Sequence, residues 1–289
     1  MATPRGYTTF EQFIKFATDA SGLERTFRLF QALLQILAFN ATARSLTFSL
    51  LTFLLPLFLP NTTVTTNTSA ETYIPLFLAL RARFASGRRF LRLFRFLEAF
   101  HSAWALYYTS SPTAAHRPAE AWLDVFARAF NGLYLLLESA TFPGAALGTD
   151  VWAVGTRRVL DVEAQRLWFL ALLCGAGGGA VRLWKTGGVV KEEVAGEKAK
   201  AGVVGEKAKK RREAAREAKS KYRRVARRFV ADVLDLAVPG SVIEVFSVEQ
   251  GTVGLAMFGS TVLTGLEVWE RCGRELAAAA ATAVKTRAG

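Results

Sequence analysis

Apolar residues recur at three-and-four spacing along most of the chain, which is the spacing of one face of an α-helix. A short amphipathic helix is predicted from about Phe10 to Thr18, with Ser21-Gly22 forming the break after it. A longer helix is predicted from about Leu23 to Arg44. The pattern therefore predicts an all-α fold that opens with a helical hairpin over residues 1–45.

The segment RRFLRLFRFLEAF, residues 88–100, is amphipathic in the same way. We predict one helix that begins at about Ile74 or Leu76 and ends at about Tyr108, within a basic amphipathic region at 73–110. Its periodicity leaves two interpretations open, because a helix in a bundle and a helix lying on a membrane share the 3.6-residue period. At 100° per residue the apolar face holds Phe90, Leu93, Phe94, Leu97, Phe100 and Trp104, and the opposite face holds Arg88, Arg92 and Arg95.

A first uncharged segment, LWFLALLCGAGGGAV, begins at residue 167. Trp168 and Trp184 flank it, and on a helix they lie about 24 Å apart, close to the separation of two interfacial aromatic belts. We interpret residues 167–184 as a candidate transmembrane helix. The alternative is that the glycine run is a flexible linker between domains.

A second uncharged segment, GTVGLAMFGSTVLTGL, spans residues 251–266 and gives a candidate transmembrane helix at 251–268. The alternative is a buried helix of a soluble bundle. Gly254, Gly259 and Gly265 are predicted to form a narrow face for helix–helix packing.

The predicted fold is an elongated, membrane-associated bundle with amphipathic helices and one or two transmembrane helices in the C-terminal half. The remaining regions are an apolar run with a Thr/Asn-rich insert at 46–72, bundle helices at 119–166, a basic low-complexity helix or linker at 185–230, and a C-terminal hydrophobic module at 231–289.

Charge adds a preference for anionic partners. The formal net charge is +13, which favours lipid headgroups or nucleic acid. Residues 191–228 carry fifteen Lys and Arg against six Glu. Tyr222 is the one aromatic residue in that block, so base stacking is poorly served and nucleic acid is not the expected partner. If both uncharged segments span the membrane, residues 191–228 lie on the side opposite both termini. A strict positive-inside count would place that basic block in the cytosol, so the two expectations about topology conflict unless one segment does not span.

No arrangement of residues typical of catalysis, cofactor binding or metal binding is found. The two histidines, His101 and His116, have no cysteine or carboxylate at ligand spacing. We therefore predict a protein that is not an enzyme and has no cofactor. A small polytopic carrier or channel is a further alternative, although the uncharged segments contain few polar residues to line a pathway.

The order of these parts resembles the peroxin-11 family of peroxisomal membrane-shaping proteins. The basic segment at 88–100 is similar to that family's amphipathic helix, and the motifs DVLDLAVP at 232–239 and GTVGLAMFGSTVLTGLEVW at 251–269 are similar to its C-terminal hydrophobic module. The N-terminal FIKFATDASGLERTFRLFQAL is similar to its opening pattern, through Phe13, Phe16, Thr18, Gly22, Glu24, Arg25, Arg28 and Gln31.

The resemblance implies a protein of the peroxisomal membrane that inserts its amphipathic helix into one leaflet and elongates the organelle before fission. The implied partners are anionic lipids, a second copy of the chain, a fission adaptor and a dynamin-like GTPase. It favours the membrane interpretation of residues 88–100. The expected membrane-inserting residues are Phe90, Leu93, Phe94, Leu97, Phe100 and Trp104, and the expected lipid-contacting residues are Arg81, Arg88, Arg92 and Arg95.

Overall fold

The computed structural model describes residues 7–58, 70–109, 118–146, 151–199 and 206–288. Within these ranges the secondary structure is helical and contains no strand, so the all-α prediction is confirmed. The helices are α1 (Thr9–Thr18), α2 (Ala20–Phe39), α3 (Ala41–Phe58), α4 (Ile74–Leu91), α5 (Arg95–Thr109), α6 (Ala119–Ala146), α7 (Val154–Ala199), α8 (Glu206–Asp235), α9 (Ala237–Val242) and α10 (Gln250–Ala288), with a 3₁₀ turn at Ala70–Tyr73.

The chain divides into two compact units. Unit 1 comprises residues 1–91 and 246–289, and unit 2 comprises residues 92–245. Unit 1 therefore contains α1 to α4 with α10, and unit 2 contains α5 to α9.

In unit 1 the chain turns sharply between α1 and α2. Asp19 ends α1 and caps α2, since its carboxylate accepts hydrogen bonds from the backbone N–H groups of Ser21 at 3.0 Å and Gly22 at 3.1 Å. A Cβ atom at Gly22 would overlap the backbone carbonyl of Phe16. Glycine is therefore required at this corner, because the α1 backbone leaves no room for a Cβ atom there.

Helix α2 lies between α4 and α10 in unit 1. The Gln35 side chain donates a hydrogen bond to the backbone carbonyl of Gln250 at 2.9 Å, and Arg271 donates to Asp19 at 2.6 Å, so α2 and α10 run antiparallel. A Cβ atom at Gly254 would lie 3.1 Å from Ile36 Cγ1. Gly254 thus allows close packing of two helices within one chain.

The apolar run after Arg44 is helical as far as Phe58 and forms most of α3. Its side chains include the exposed Leu46, Leu50 and Phe53. Residues 59–69, which hold most of the predicted Thr/Asn-rich insert, lie outside the described residues.

In unit 2 the core lies where α5, α6 and α7 meet. Tyr134 and Leu135 of α6 and Ala164 of α7 are buried there, and Phe96 and Leu167 pack against them. The ring of Trp168 stacks on Tyr134 with 5.4 Å between centroids. These contacts bury the apolar stripes of three amphipathic helices against one another.

The single helix predicted from about Ile74 to Tyr108 is wrong. Residues 92–94 form a turn between α4 and α5, and the unit boundary also lies there. Contacts with α6 favour this turn over a continuous helix. The Arg92 guanidinium pairs with Glu138 at 2.7 Å, and the Leu93 carbonyl accepts a hydrogen bond from the Ser139 hydroxyl at 2.6 Å. Helical periodicity does not register such long-range contacts.

The interpretation of the glycine run as a flexible linker is also wrong, because residues 175–179 lie inside the continuous helix α7. Cβ atoms at Gly177 and Gly178 would contact Leu123 of α6 at 3.6 Å. A Cβ at Gly179 would lie 3.3 Å from Phe229 of α8. The absence of side chains lets both neighbours pack closely against α7.

Candidate membrane-contacting site

One face of α5 and the turn before it carries large side chains that the fold leaves uncovered. Phe94, Leu97 and Trp104 are 69%, 59% and 62% exposed, and Tyr108 is exposed as well. We call these four residues the α5 apolar face. The opposite side of the helix, with Phe96 and Ala103, faces the core of unit 2. Contiguous apolar exposure of this kind marks an interaction surface.

The other predicted membrane-inserting residues divide into two groups. Phe90 lies on α4 in unit 1 and is exposed. Leu93 and Phe100 are half-buried in unit 2. The Phe100 ring lies so close to α6 that a Cβ at Gly132 would come within 2.7 Å of it. Phe100 is thus a helix-packing residue in this structure, and Leu93 is partly covered.

An aromatic cluster continues the α5 apolar face toward its C-terminal end. The Trp104 and Tyr108 rings are 4.6 Å apart between centroids, and Tyr107 contacts both Tyr108 at 5.4 Å and Trp122 of α6 at 6.1 Å. Trp and Tyr are the residues that favour the membrane–water interface. Tyr107 and Tyr108 were not among the predicted membrane-inserting residues, although Tyr108 follows Trp104 at helical i, i+4 spacing.

Two of the predicted lipid-contacting arginines lie in unit 2 and have different surroundings. The Arg92 side chain is largely buried, pairs with Glu138 and lies over the Tyr134 ring, with Cζ 5.8 Å from the ring centroid. Arg95 is on the surface and pairs with Glu98 at 3.7 Å. Of these two, Arg95 is placed to meet a headgroup, whereas Arg92 joins α5 to α6.

The other two, Arg81 and Arg88, bind side chains of α2 in unit 1. Arg88 donates to Gln31 Oε1 at 2.6 Å and lies 3.9 Å from Glu24 Oε1. Arg81 Nε donates to Gln35 Oε1 at 3.1 Å, and burial lowers the pKa of the Arg81 guanidinium. We call Glu24, Gln31 and Gln35 the α2 polar ladder. It holds both arginines inside the protein and gives Glu24 and Gln31 of the N-terminal pattern a structural role.

Among the described residues, two single helices are long and apolar enough to cross a membrane: Val154–Gly188 and Gln250–Ala283. Helices Ala20–Phe39 and Ala41–Leu54 meet the same test only as a pair bent by 106°. Val154–Gly188 and Gln250–Ala283 each contain one of the two predicted uncharged segments and extend beyond it at both ends.

The α10 segment has apolar residues outside and small polar residues inside. Leu255, Val262 and Leu266 are exposed, whereas Ser260 and Thr264 are buried. The two buried hydroxyls donate to carbonyls of their own helix, at 3.0 Å and 2.8 Å. This distribution suits a helix whose outer side meets lipid. Of the predicted packing glycines, Gly254 contacts α2, Gly259 is half-buried, and a Cβ at Gly265 would meet no atom within 4 Å.

The α7 segment has charged neighbours. Arg182 pairs with Asp124 of α6, and Lys185 pairs with Glu120 at 2.7 Å. The hydrogen bond from Lys185 lowers the pKa of the Glu120 carboxyl. A Cβ at Gly175 would lie 3.1 Å from the Asp232 carboxylate of α8. Placing α7 in hydrocarbon would therefore carry carboxylates of α6 and α8 with it, which costs free energy.

We predict that Gly179→Leu destabilises unit 2 by about 1–3 kcal/mol, because the new side chain must displace Phe229. Gly188→Leu in the same helix is the matched control, since a Cβ there meets nothing within 4 Å. The control should be neutral or stabilising by up to about 1 kcal/mol, the helix-propensity gain over glycine. Thermal unfolding followed by circular dichroism measures both, and equal effects would contradict the packing role of Gly179.

In the part of the chain that the structure describes, no group of three or more His, Cys, Asp and Glu side chains is arranged to hold a metal ion. The family model of peroxisomal biogenesis factor 11 (PEX11) matches residues 58–269, more than half of the chain. The N-terminal pattern at residues 13–31 lies outside that match, while the basic segment and both candidate spans lie wholly or largely inside it. No curated protein and no solved structure matches significantly. The chain belongs to the PEX11 family of peroxisomal biogenesis factors.

Proposed function

We propose that this protein remodels the peroxisomal membrane by inserting the α5 apolar face into one leaflet. Membership of the PEX11 family gives a role in peroxisome biogenesis. The observation that supports the insertion mechanism is the exposure of Phe94, Leu97, Trp104 and Tyr108 on one side of a helix whose other side is packed. Wedging these side chains between the lipids of one leaflet expands that leaflet and favours curvature.

Apolar contact provides most of the affinity in this mechanism. Fully burying the four side chains would contribute roughly 6–12 kcal/mol at about 1.5–3 each, and interfacial burial recovers a part of that. A surface arginine such as Arg95 adds about 1 kcal/mol near an anionic leaflet. The α5 apolar face therefore controls insertion, and positive charge selects the anionic surface.

The remaining parts of the proposal concern anchoring and partners. We assign the anchor to α10, because its outer side is apolar and its neighbour α2 is uncharged from Leu29 to Phe39. We further propose that the protein self-associates in the membrane and elongates the organelle before a fission adaptor and a dynamin-like GTPase divide it. Crosslinking of the membrane-bound protein tests self-association, and co-purification from peroxisomes tests the fission partners.

Reconstitution of the full chain into vesicles of phosphatidylcholine and phosphatidylserine tests the remodelling function. We expect the vesicles to become elongated tubules in electron micrographs, because an inserted apolar wedge favours curvature. Vesicles reconstituted without protein are the control. Spherical vesicles that retain the protein after alkaline carbonate extraction would contradict remodelling while leaving membrane residence intact.

A further inference from the structure

Helix α1 carries a second group of uncovered apolar side chains, far from α5 in sequence. Phe10, Phe13 and Ile14 are 69%, 54% and 46% exposed. Their spacing places them on one face of the helix. The helix is well formed, since Thr8 and Glu11 make a reciprocal capping box at its start. The apolar face of α1 is thus a defined surface rather than a frayed end.

The opposite face of α1 is attached to α10. The Gln12 side chain donates a hydrogen bond to the Trp269 carbonyl at 2.8 Å, and Lys15 pairs with Glu275 at 3.3 Å. The Phe16 ring meets the Trp269 ring edge-on at 5.8 Å between centroids. These contacts fix the rotation of α1, so that Phe10, Phe13 and Ile14 point away from the protein.

The attachment point lies just past the end of the uncharged segment of α10. That segment ends at Leu266, and Glu267, Trp269 and Arg271 follow it. Aromatic and charged residues in this position mark the level of the headgroups when a helix spans a membrane. Because α1 is bound at Trp269 and Glu275, it lies at that level too.

We propose that α1 is a second lipid-contacting helix, which places Phe10, Phe13 and Ile14 at the boundary between headgroups and acyl chains. The proposal rests on α10 lying in the membrane, as in the proposed function, but not on insertion of α5. A protein partner fits this face less well, because a stable interface buries about 800 Å² on each side and three side chains supply only part of that area. A leaflet needs no such minimum and continues the lipid contact of α10.

Photolabelling of the reconstituted full chain tests this assignment. The vesicles contain a phospholipid with a diazirine in its acyl chain, and trypsin digestion with mass spectrometry locates the adducts. Cleavage after Arg5 and Lys15 releases the peptide GYTTFEQFIK, which contains all three α1 residues. The peptide of residues 229–271 reports on α10. The peptide of residues 96–128 reports on α5 and the first residues of α6, because trypsin does not cleave between Arg117 and Pro118. We expect adducts on the α1 peptide as well as on the α10 peptide.

Two matched variants show whether the apolar face itself is responsible. Phe10→Ser with Phe13→Ser should lower labelling of residues 6–15 about tenfold, whereas Phe10→Leu with Phe13→Leu should leave it nearly unchanged. Labelling of residues 229–271 without labelling of residues 6–15 would overturn the assignment and leave the proposed function standing. Absence of label from residues 6–15 and 229–271 would overturn both the assignment and the anchor on which it rests.

Discussion

Replacing Phe94 and Leu97 with aspartate should abolish the elongation of vesicles by the full chain. Both side chains are well exposed, so the fold should be retained. The change removes two apolar contacts from the lipid and adds two charges at the same depth. Even with half of the full burial energy of each side chain, the loss is about 1.5–3 kcal/mol, or roughly 10- to 150-fold in the insertion equilibrium, before the cost of the charges.

The matched control exchanges the two side chains, as Phe94→Leu with Leu97→Phe. This variant keeps the apolar area and the charge of the α5 apolar face, so tubules should form as with the natural sequence. Electron microscopy of vesicles gives the first measurement, and peroxisome length in cells expressing each variant gives the second. Normal tubules from the aspartate variant would remove α5 from the mechanism, provided that circular dichroism shows both variants to be folded.

Arg88→Ala should destabilise unit 1 by about 3–5 kcal/mol, the cost of removing one partner from a buried ion pair. Arg88 and Glu24 are both buried, and Arg88 also donates the 2.6 Å hydrogen bond to Gln31. Its loss leaves two polar groups of the α2 polar ladder facing an apolar side chain. Thermal unfolding in detergent should show a midpoint lowered by roughly 10 °C.

Arg83→Ala is the control for this experiment, because Arg83 is on the same helix and exposed. Its effect should remain within about 0.5 kcal/mol. Replacing Glu24 and Arg88 together with leucine should cost less than Arg88→Ala alone, since neither member of this ion pair is then left buried without the other. Equal destabilisation by Arg83→Ala and Arg88→Ala would mean that the α2 polar ladder does not stabilise unit 1.

Local periodicity was sufficient to predict an all-α fold and most of the α5 apolar face, but not the turn that separates α4 from α5. Phe94, Leu97 and Trp104 are exposed as their positions on a helical wheel suggest. The same pattern placed Phe100 beside them, but Phe100 packs against Gly132 of α6. A wheel shows which residues share a face, and it does not show where a neighbouring helix covers part of that face.

The arginines were harder to predict, because their partners are distant in sequence. Arg92 pairs with a residue 46 positions away, and Arg88 donates to one 57 positions away. In the sequence these arginines form a basic stripe suited to lipid. In the fold, Arg92 is bound to α6 and Arg88 is bound to α2. No local rule identifies such pairs, so the stripe was assigned to the membrane as a whole.

The internal partners of Arg81, Arg88 and Arg92 make the basic segment behave differently in the protein and as an isolated peptide. A synthetic peptide of residues 81–108 lacks α2 and α6, so its arginines are free of Gln35, Glu24 and Glu138. On an anionic bilayer such a peptide would bring all its positive charges to the headgroups, and dissolved counterions would weaken its adsorption strongly. The folded chain keeps Arg81, Arg88 and Arg92 on internal partners. Ionic strength should therefore weaken the lipid contact of residues 81–108 less in the folded chain than in the excised peptide.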